Sequence, residues 1–350
     1  MNTKALLYKL YNENNLNFDE TLELLNDLDT NLKLRNELFA CSLETKEKYY
    51  QKDVYMRGLI EFSNYCKQNC LYCGIQRSNK NVKRYRLNRN DILNCCKEGY
   101  ELGFRTFVLQ GGEDSYYTDE ILIDIIKSIK NDFKDCAITL SIGEKSYDSY
   151  LKYFNAGASR FLLRHETADS DLYNYFHPEM DLENRKQCLF DLKKIGYQVG
   201  AGFMVGLKGQ TNSHLAKDLI FLKELSPHMV GIGPYLSHKD TILKDCKNGD
   251  LNKTLIMLAL TRLFLPKVLL PSTTALGTLD NTGREKALKI GCNVVMPNLS
   301  PTSLRKDYSL YDNKICTGDE AAHCRKCIQR RIENSGFKIN MGKGDHIDFK

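Results

Sequence analysis

Eight short apolar or β-branched runs recur along the chain, each followed by a longer amphipathic stretch, and this alternation limits the possible folds more than any other feature. The runs are Gly58 to Phe62, Thr106 to Leu109, Ala137 to Ser141, Arg160 to Arg164, Gln198 to Met204, Met229 to Ile232, Val268 to Ser272 and Asn293 to Met296. Helix start signals lie between them: Asp91 before Ile92-Leu93, Thr118 before Ile121-Leu122, Asp181 before Leu182, and Thr211 before Leu215 and Leu219. Strands that alternate with helices pair in parallel through right-handed crossovers. Eight such units predict an α/β fold of the complete (β/α)8 TIM-type barrel kind rather than an open doubly wound sheet. From Phe18 to about Tyr50 apolar residues fall at helical spacing, a helical extension ahead of the barrel. The expected division is 1–55 for this extension, 56–300 for the barrel, and 301–350 for a cysteine-bearing C-terminal segment packed on it.

Composition narrows the function classes. Fifty Lys plus Arg against 44 Asp plus Glu leave a net +6 spread along the chain, not the concentrated stripe of a nucleic-acid binder. The richest apolar stretch, Leu255 to Leu265, contains Thr261 and Arg262 and falls short of the ~18 residues a membrane span needs. Met1 to Asn15 has no signal-peptide pattern, so a cytoplasmic protein that binds neither membrane nor nucleic acid is expected. Thirteen cysteines, an odd number, suit a reducing compartment, where metal binding or catalysis is their better use. Seven stand singly or as a neighbouring pair in apolar or amphipathic runs, as small buried hydrophobes do. The other six cluster.

Cys66, Cys70 and Cys73 follow the first strand in a C-x3-C-x2-C spacing on one short loop. A structural zinc site needs four ligands, and no fourth Cys or His is near in sequence. A four-iron cubane held by three thiolates leaves one iron without a protein ligand, an open corner where a small molecule can chelate.

This spacing, with Tyr72 before the last cysteine, resembles the signature of the radical S-adenosylmethionine (SAM) superfamily. The resemblance implies a [4Fe-4S] cluster whose open iron takes the amino and carboxylate groups of SAM. The reduced cluster then passes an electron to the sulfonium, and a 5′-deoxyadenosyl radical results. The protein's part is to hold the sulfonium, exclude water and oxygen, and aim the radical.

Barrel active sites lie at the C-terminal ends of the strands, and polar residues gather there. The second strand ends Gln110-Gly111-Gly112-Glu113, bare backbone that a ligand can approach. The fourth has Arg160, Leu162, Arg164 and Glu166 on one face, with Thr139 and Ser141 of matching parity on the third; a structural salt-bridge ladder is the alternative reading. His165 points the other way. Thr273-Thr274 and Met296-Pro297-Asn298 end the seventh and eighth strands. Gly200 to Gly206 suits either tight barrel packing or adenine contact.

Cys316, Cys324 and Cys327 form a second group, C-x7-C-x2-C, with His323 alongside. It reads either as a zinc knuckle or as an auxiliary iron–sulfur cluster, [2Fe-2S] or [4Fe-4S]. Together with Arg57 to Asn64, Leu162 to Thr167, Met204 to Thr211, Met229 to Pro234, Thr273 to Thr278 and Asn293 to Asn298, this group resembles the HydE family of [FeFe]-hydrogenase maturases over nearly the whole chain. The resemblance implies SAM contacts at Gln110, Gly111, Ser141, Glu166 and Arg185, with Tyr72, Thr139 and Arg164 beside them. It also implies a substrate cavity around Arg160, Thr273, Thr274 and Tyr311. The implied substrate is a small organometallic iron–cysteine carbonyl cyanide complex supplied by HydG; the implied product acceptor is HydF, and the electron donor a low-potential ferredoxin or flavodoxin. Gly111, often Ser in relatives, and Lys208, often Pro, depart from the pattern. Methylornithine synthase and biotin synthase are more distant resemblances, and a non-catalytic iron–sulfur carrier is the alternative from another class.

Overall fold

Six of the eight expected strands lie side by side in chain order, all parallel: Gly58–Ser63, Thr106–Gly111, Ala137–Ser141, Arg160–Leu162, Gln198–Ala201 and Met229–Val230. They belong to a computed structural model that describes residues 2–318 and 320–349. The seventh and eighth segments close the ring through single bridges, Met229 to Leu269, Pro271 to Val294 and Asn298 to Leu59. The chain is therefore a closed (β/α)8 barrel. Phe107, Leu109, Ile138, Leu140, Phe161 and Val199 pack outward from its strands into the main core under the helices.

Two expected strands are shorter or broken, each for a local reason. The run Gln198 to Met204 stops at Gly202, whose φ is 152° and where a Cβ would meet the Gly231 carbonyl oxygen at 2.1 Å. It resumes as Met204–Val205, paired with Gly233–Pro234. The run Val268 to Ser272 pairs with its neighbouring strands through isolated bridges at Leu269 and Pro271 instead of a continuous ladder. Two further strands escape the alternation rule because they are short and flanked by charge: Asp53–Met56 pairs in parallel with both Val294–Val295 and Lys338–Asn340.

The N-terminal extension consists of three helices, Thr3–Glu13, Phe18–Leu28 and Leu32–Tyr50. The first was not expected; its buried stripe is only Leu6, Leu7 and Leu10. Asn17 and Glu20 cap the second through reciprocal hydrogen bonds. The third packs along the helix Leu251–Phe264, which is buried at every position from Thr254 to Phe264. A helix that is apolar on all sides needs cover on all sides, and here the barrel and the extension provide it. Arg262 tolerates burial because its nitrogens bind the carbonyls of Gly291, Pro266 and Val268. Among the described residues no helix is long and apolar enough to cross a membrane.

The C-terminal tail closes the floor of the barrel, at the N-terminal ends of the strands. Arg57 is fully buried and donates to the Gly344 carbonyl at 2.9 Å and to Met229 Sδ at 3.1 Å. Asp345 accepts from Arg160 at 2.6 Å and from Gln198 at 2.5 Å, while Thr106 Oγ1 donates to the Lys343 carbonyl at 2.7 Å.

Candidate active site

The loop after the first strand leaves the opposite, C-terminal end of the barrel and carries Cys66, Cys70 and Cys73 as free thiols. The backbone N–H groups of Glu113 and Gln68 point at Cys66 Sγ, at 3.4 and 3.5 Å. Burial pushes the Cys73 thiol up to about 12, and the nearby Cys66 adds to this. Cys70 is also raised well above the usual thiol range, by burial first and then by Cys73 and Cys66. Among the described residues no three His, Cys, Asp or Glu side chains have the spacing to hold a metal ion. The three half-buried thiols nonetheless lie within electrostatic reach, Cys66 raising both Cys70 and Cys73, and thiolates so placed would be stabilised by a shared positive centre.

Packing around the loop is tight. A Cβ at Gly112 would meet the Tyr65 carbonyl oxygen at 2.2 Å and Cys66 Cβ at 2.8 Å, so the loop rests directly on the end of the second strand. Glu113 extends this contact: its carboxylate accepts from Gln68 at 2.7 Å and from the Glu144 N–H at 3.1 Å. Glu144 in turn accepts from Arg185 Nε at 2.6 Å, and Arg185 also donates to the Arg164 carbonyl at 2.6 Å. Burial disfavours the charge on Arg185, but Tyr173 and Glu144 outweigh it and hold the guanidinium protonated. A continuous set of contacts thus runs from the cysteine loop to the end of the fourth strand.

There Glu166 has a φ of 65°, a left-handed conformation costly for a side chain of its size. Its N–H donates to the Gly202 carbonyl at 3.0 Å, and its own carbonyl accepts from Met204 at 3.2 Å, which lock the turn. The carboxylate faces Arg164 at 2.9 Å. Arg164 Nε and the buried Thr139 Oγ1 have no hydrogen-bond partner in the protein. The unpartnered Arg164 Nε, beside Glu166, whose charge reaches Cys70, fits a bound ligand that brings its own acceptors, and the residues present suit a three-thiolate cluster carrying an amino-acid-like chelator.

Tyr72 is fixed by His177, with 2.9 Å between the phenol oxygen and Nε2. His177 Nδ1 contacts the Tyr173 carbonyl at 3.0 Å. A carbonyl only accepts, so Nδ1 bears the proton and the Tyr72 hydroxyl donates to Nε2. Burial lowers His177 to about 3, consistent with this neutral ring. Ser141 ends the third strand in register with Gln110, and Gly111 lies against the Phe62 ring, 3.1 Å from where a Cβ would stand.

Inside the barrel is a cavity of about 190 Å3. Gln110, Arg164, Thr273, Thr274 and Tyr311, all expected site residues, line it together. Arg160 does not. It shares a strand face with Arg164, as its parity predicts, but four residues of strand at ~3.3 Å each separate their levels by ~13 Å. Its terminal nitrogens bind Thr106, Lys343 and Asp345 in the floor, only Nε lacks a partner, and Arg160 is absent from the lining of this cavity, so its expected place in the substrate cavity is corrected. His165 does point outward, buried against Phe203 and Phe221 with Nε2 3.3 Å from Asp218.

Three cavity residues escaped the sequence reading. Glu61 accepts from Lys314 at 2.5 Å and from Asn298 at 2.8 Å, and Arg284 forms part of the wall. A carboxylate inside the otherwise apolar run Gly58 to Phe62 was a usable signal; Lys314 and Arg284 had none. Of the second cysteine group, Cys316 and Cys324 are hydrogen-bonded to each other, Cys327 is exposed, and His323 is exposed beside buried Cys324.

Residues 60–222 match the model of the radical SAM superfamily. The chain is 47% identical over 301 residues to the [FeFe] hydrogenase maturase subunit HydE of Thermotoga maritima, covering 86% of each. It is 28% identical to 3-methylornithine synthase of Methanosarcina acetivorans, over 91% of this chain and 89% of that protein. Among solved structures, methylornithine synthase (PylB) superposes with a TM-score of 0.85 at 26% identity, over 96% of this chain and 97% of that one. HydG, a maturase of the [FeFe]-hydrogenase, gives 0.82 at 19% identity over 97% and 76%, a likeness of fold alone.

Proposed function

The chain belongs to the HydE family of hydrogenase maturases within the radical SAM superfamily, and from that premise we propose what its site holds and what it acts on. As a radical SAM enzyme of hydrogenase maturation it uses a [4Fe-4S] cluster and SAM, which together supply a 5′-deoxyadenosyl radical. Cys66, Cys70 and Cys73 hold the cluster. Gln110, Gly111, Thr139, Ser141, Arg164, Glu166 and Arg185 surround SAM, with Tyr72 fixed against His177 at the edge of the loop. Glu166 offers a carboxylate held rigid by its strained backbone, and Thr139 an unpaired hydroxyl.

The substrate is a small iron–cysteine complex bearing carbonyl and cyanide, received from HydG, and its product passes to HydF. The observation that carries this reading is the cavity inside the barrel. It is lined by Tyr311 and Lys314 of the C-terminal segment, is large enough for a compact complex, and has Arg164, Thr273 and Thr274 in its wall. The chain's task there is to orient the complex, exclude water and keep charge balanced while the radical acts. The division at 1–55, 56–300 and 301–350 follows this reading, as do cytoplasmic placement, a ferredoxin or flavodoxin electron donor, and an auxiliary [2Fe-2S] or [4Fe-4S] cluster at Cys316, Cys324 and Cys327.

Two measurements test it. Anaerobically reconstituted protein with SAM and dithionite forms 5′-deoxyadenosine; a carrier without catalysis forms none. Expression in a strain lacking its own maturase restores hydrogenase activity, and failure there with SAM cleavage intact would reassign the substrate.

A further inference from the structure

The charges in the cavity wall are Glu61, Arg164, Arg284 and Lys314. Two of the three cations are neutralised by the fold: Lys314 by Glu61 at 2.5 Å, and Arg164 by Glu166 at 2.9 Å. Arg284 differs. Among the described residues no carboxylate lies within ion-pair distance of it, although it is only 8% exposed. One terminal nitrogen donates to Thr274 Oγ1 at 3.1 Å, both lie 3.8 Å from Cys316 Sγ, and Nε has no partner. The guanidinium lies close over Gly277, where an added Cβ would stand 3.1 Å from Nε.

A buried guanidinium without a carboxylate partner costs several kcal/mol unless an anion joins it, and the face turned to Cys316 leaves Nε free for one in the cavity. Its planar edge, two N–H groups side by side, matches a carboxylate oxygen pair or the lone pair of a metal-bound cyanide better than an ammonium would. We infer that Arg284, on the helix Gly283–Leu288, is a specificity-determining residue of the cavity, recognising a compact monoanionic group of the substrate. This rests on the cavity being the substrate chamber. Thr274 is then a positioning residue that fixes the angle of the guanidinium.

Formate serves as the probe, titrated calorimetrically into the anaerobically reconstituted, SAM-loaded protein. Arg284→Gln is expected to weaken formate binding by about tenfold or more, and Arg284→Lys, which keeps charge but loses the fork, by an intermediate factor. Lys267→Gln, whose ammonium pairs with Asp348 on the outside of the barrel floor, is expected to stay within about threefold of the parent. Unchanged binding in Arg284→Gln overturns the inference. So does an equal loss in Lys267→Gln, because formate would then bind through surface charge and not in the cavity. If Arg284→Gln fails to fold, as read by circular dichroism and iron content, Arg284→Lys decides by the same criterion. With the iron–cysteine complex as substrate, the same variants raise KM more than they lower kcat. A parent that binds formate through Arg284 yet ignores that complex leaves this inference standing and removes the proposed substrate.

Discussion

Arg160 and Arg164 stand on one face of one strand, yet the two ends of the barrel give them opposite duties. At the floor, both terminal nitrogens of Arg160 are engaged by Thr106, the Lys343 carbonyl and Asp345, which leaves only Nε without a partner. At the mouth, Arg164 keeps an unpartnered Nε toward the cavity and a single carboxylate at 2.9 Å. At the floor the terminal nitrogens of the arginine are held by the protein's own tail, whereas at the mouth the arginine faces a cavity. Polar groups bound to the chain itself hold a fold together; unpartnered ones at a cavity wall mark where a ligand can bind.

The largest effect tests the mouth. Cys70→Ala should abolish 5′-deoxyadenosine formation, while Cys324→Ala at the outer group should retain more than half of it; equal losses would erase the difference between the two cysteine groups. Next, Arg164→Met should lower kcat/KM by about 100-fold with only a small shift in Tm. Arg160→Met should do the reverse, costing about 2 kcal/mol in urea unfolding because it strands Asp345 and the tail carbonyl. If Arg160→Met instead impaired turnover without loss of stability, the floor assignment would be wrong.

The smallest effect concerns pH. His228 lies at the floor against His346 and Phe349, and burial lowers it to about 4. An unfolded histidine titrates near 6.5, so the unfolded chain binds the extra proton between those values and stability falls as pH drops from about 6.5 toward 4. Tm should decline through that window, and less steeply in His228→Gln. Asp345 is shifted the other way overall: burial would raise it, but Arg160 and Gln198 hold it below the usual carboxylate range. Its contribution to the tail latch is present above the ordinary carboxylate pKa and is lost only in stronger acid, as pH falls through its own depressed value. A Tm curve flat down to pH 4 would remove histidine from the account of the floor.

The fold could be read closely because it rests on local periodicity. Thr118 and Asp181 cap the helices they precede, whereas Asp91 lies three residues inside its helix, where it closes a capping box with Asn88. Strands at Asp53–Met56 and Lys338–Asn340 were missed because each owes its pairing to a partner hundreds of residues away or at the far end of the chain. The cysteine loop was legible since its three sulfurs are seven residues apart at most. Arg284 and Lys314 were not, because nothing near them in sequence says that they face the same cavity as Glu61.

The order of residues alone thus determined which segments become strands, which face of each strand is polar, and that three thiols would share one loop. Tertiary structure decided depth and pairing: which arginine meets the tail and which the cavity, and which cation the fold leaves without a counter-charge. Alternation along a strand reports its face but not its level in the barrel. Only closure of the ring brings together groups from Glu61 to Lys314 so that their charges can cancel or remain.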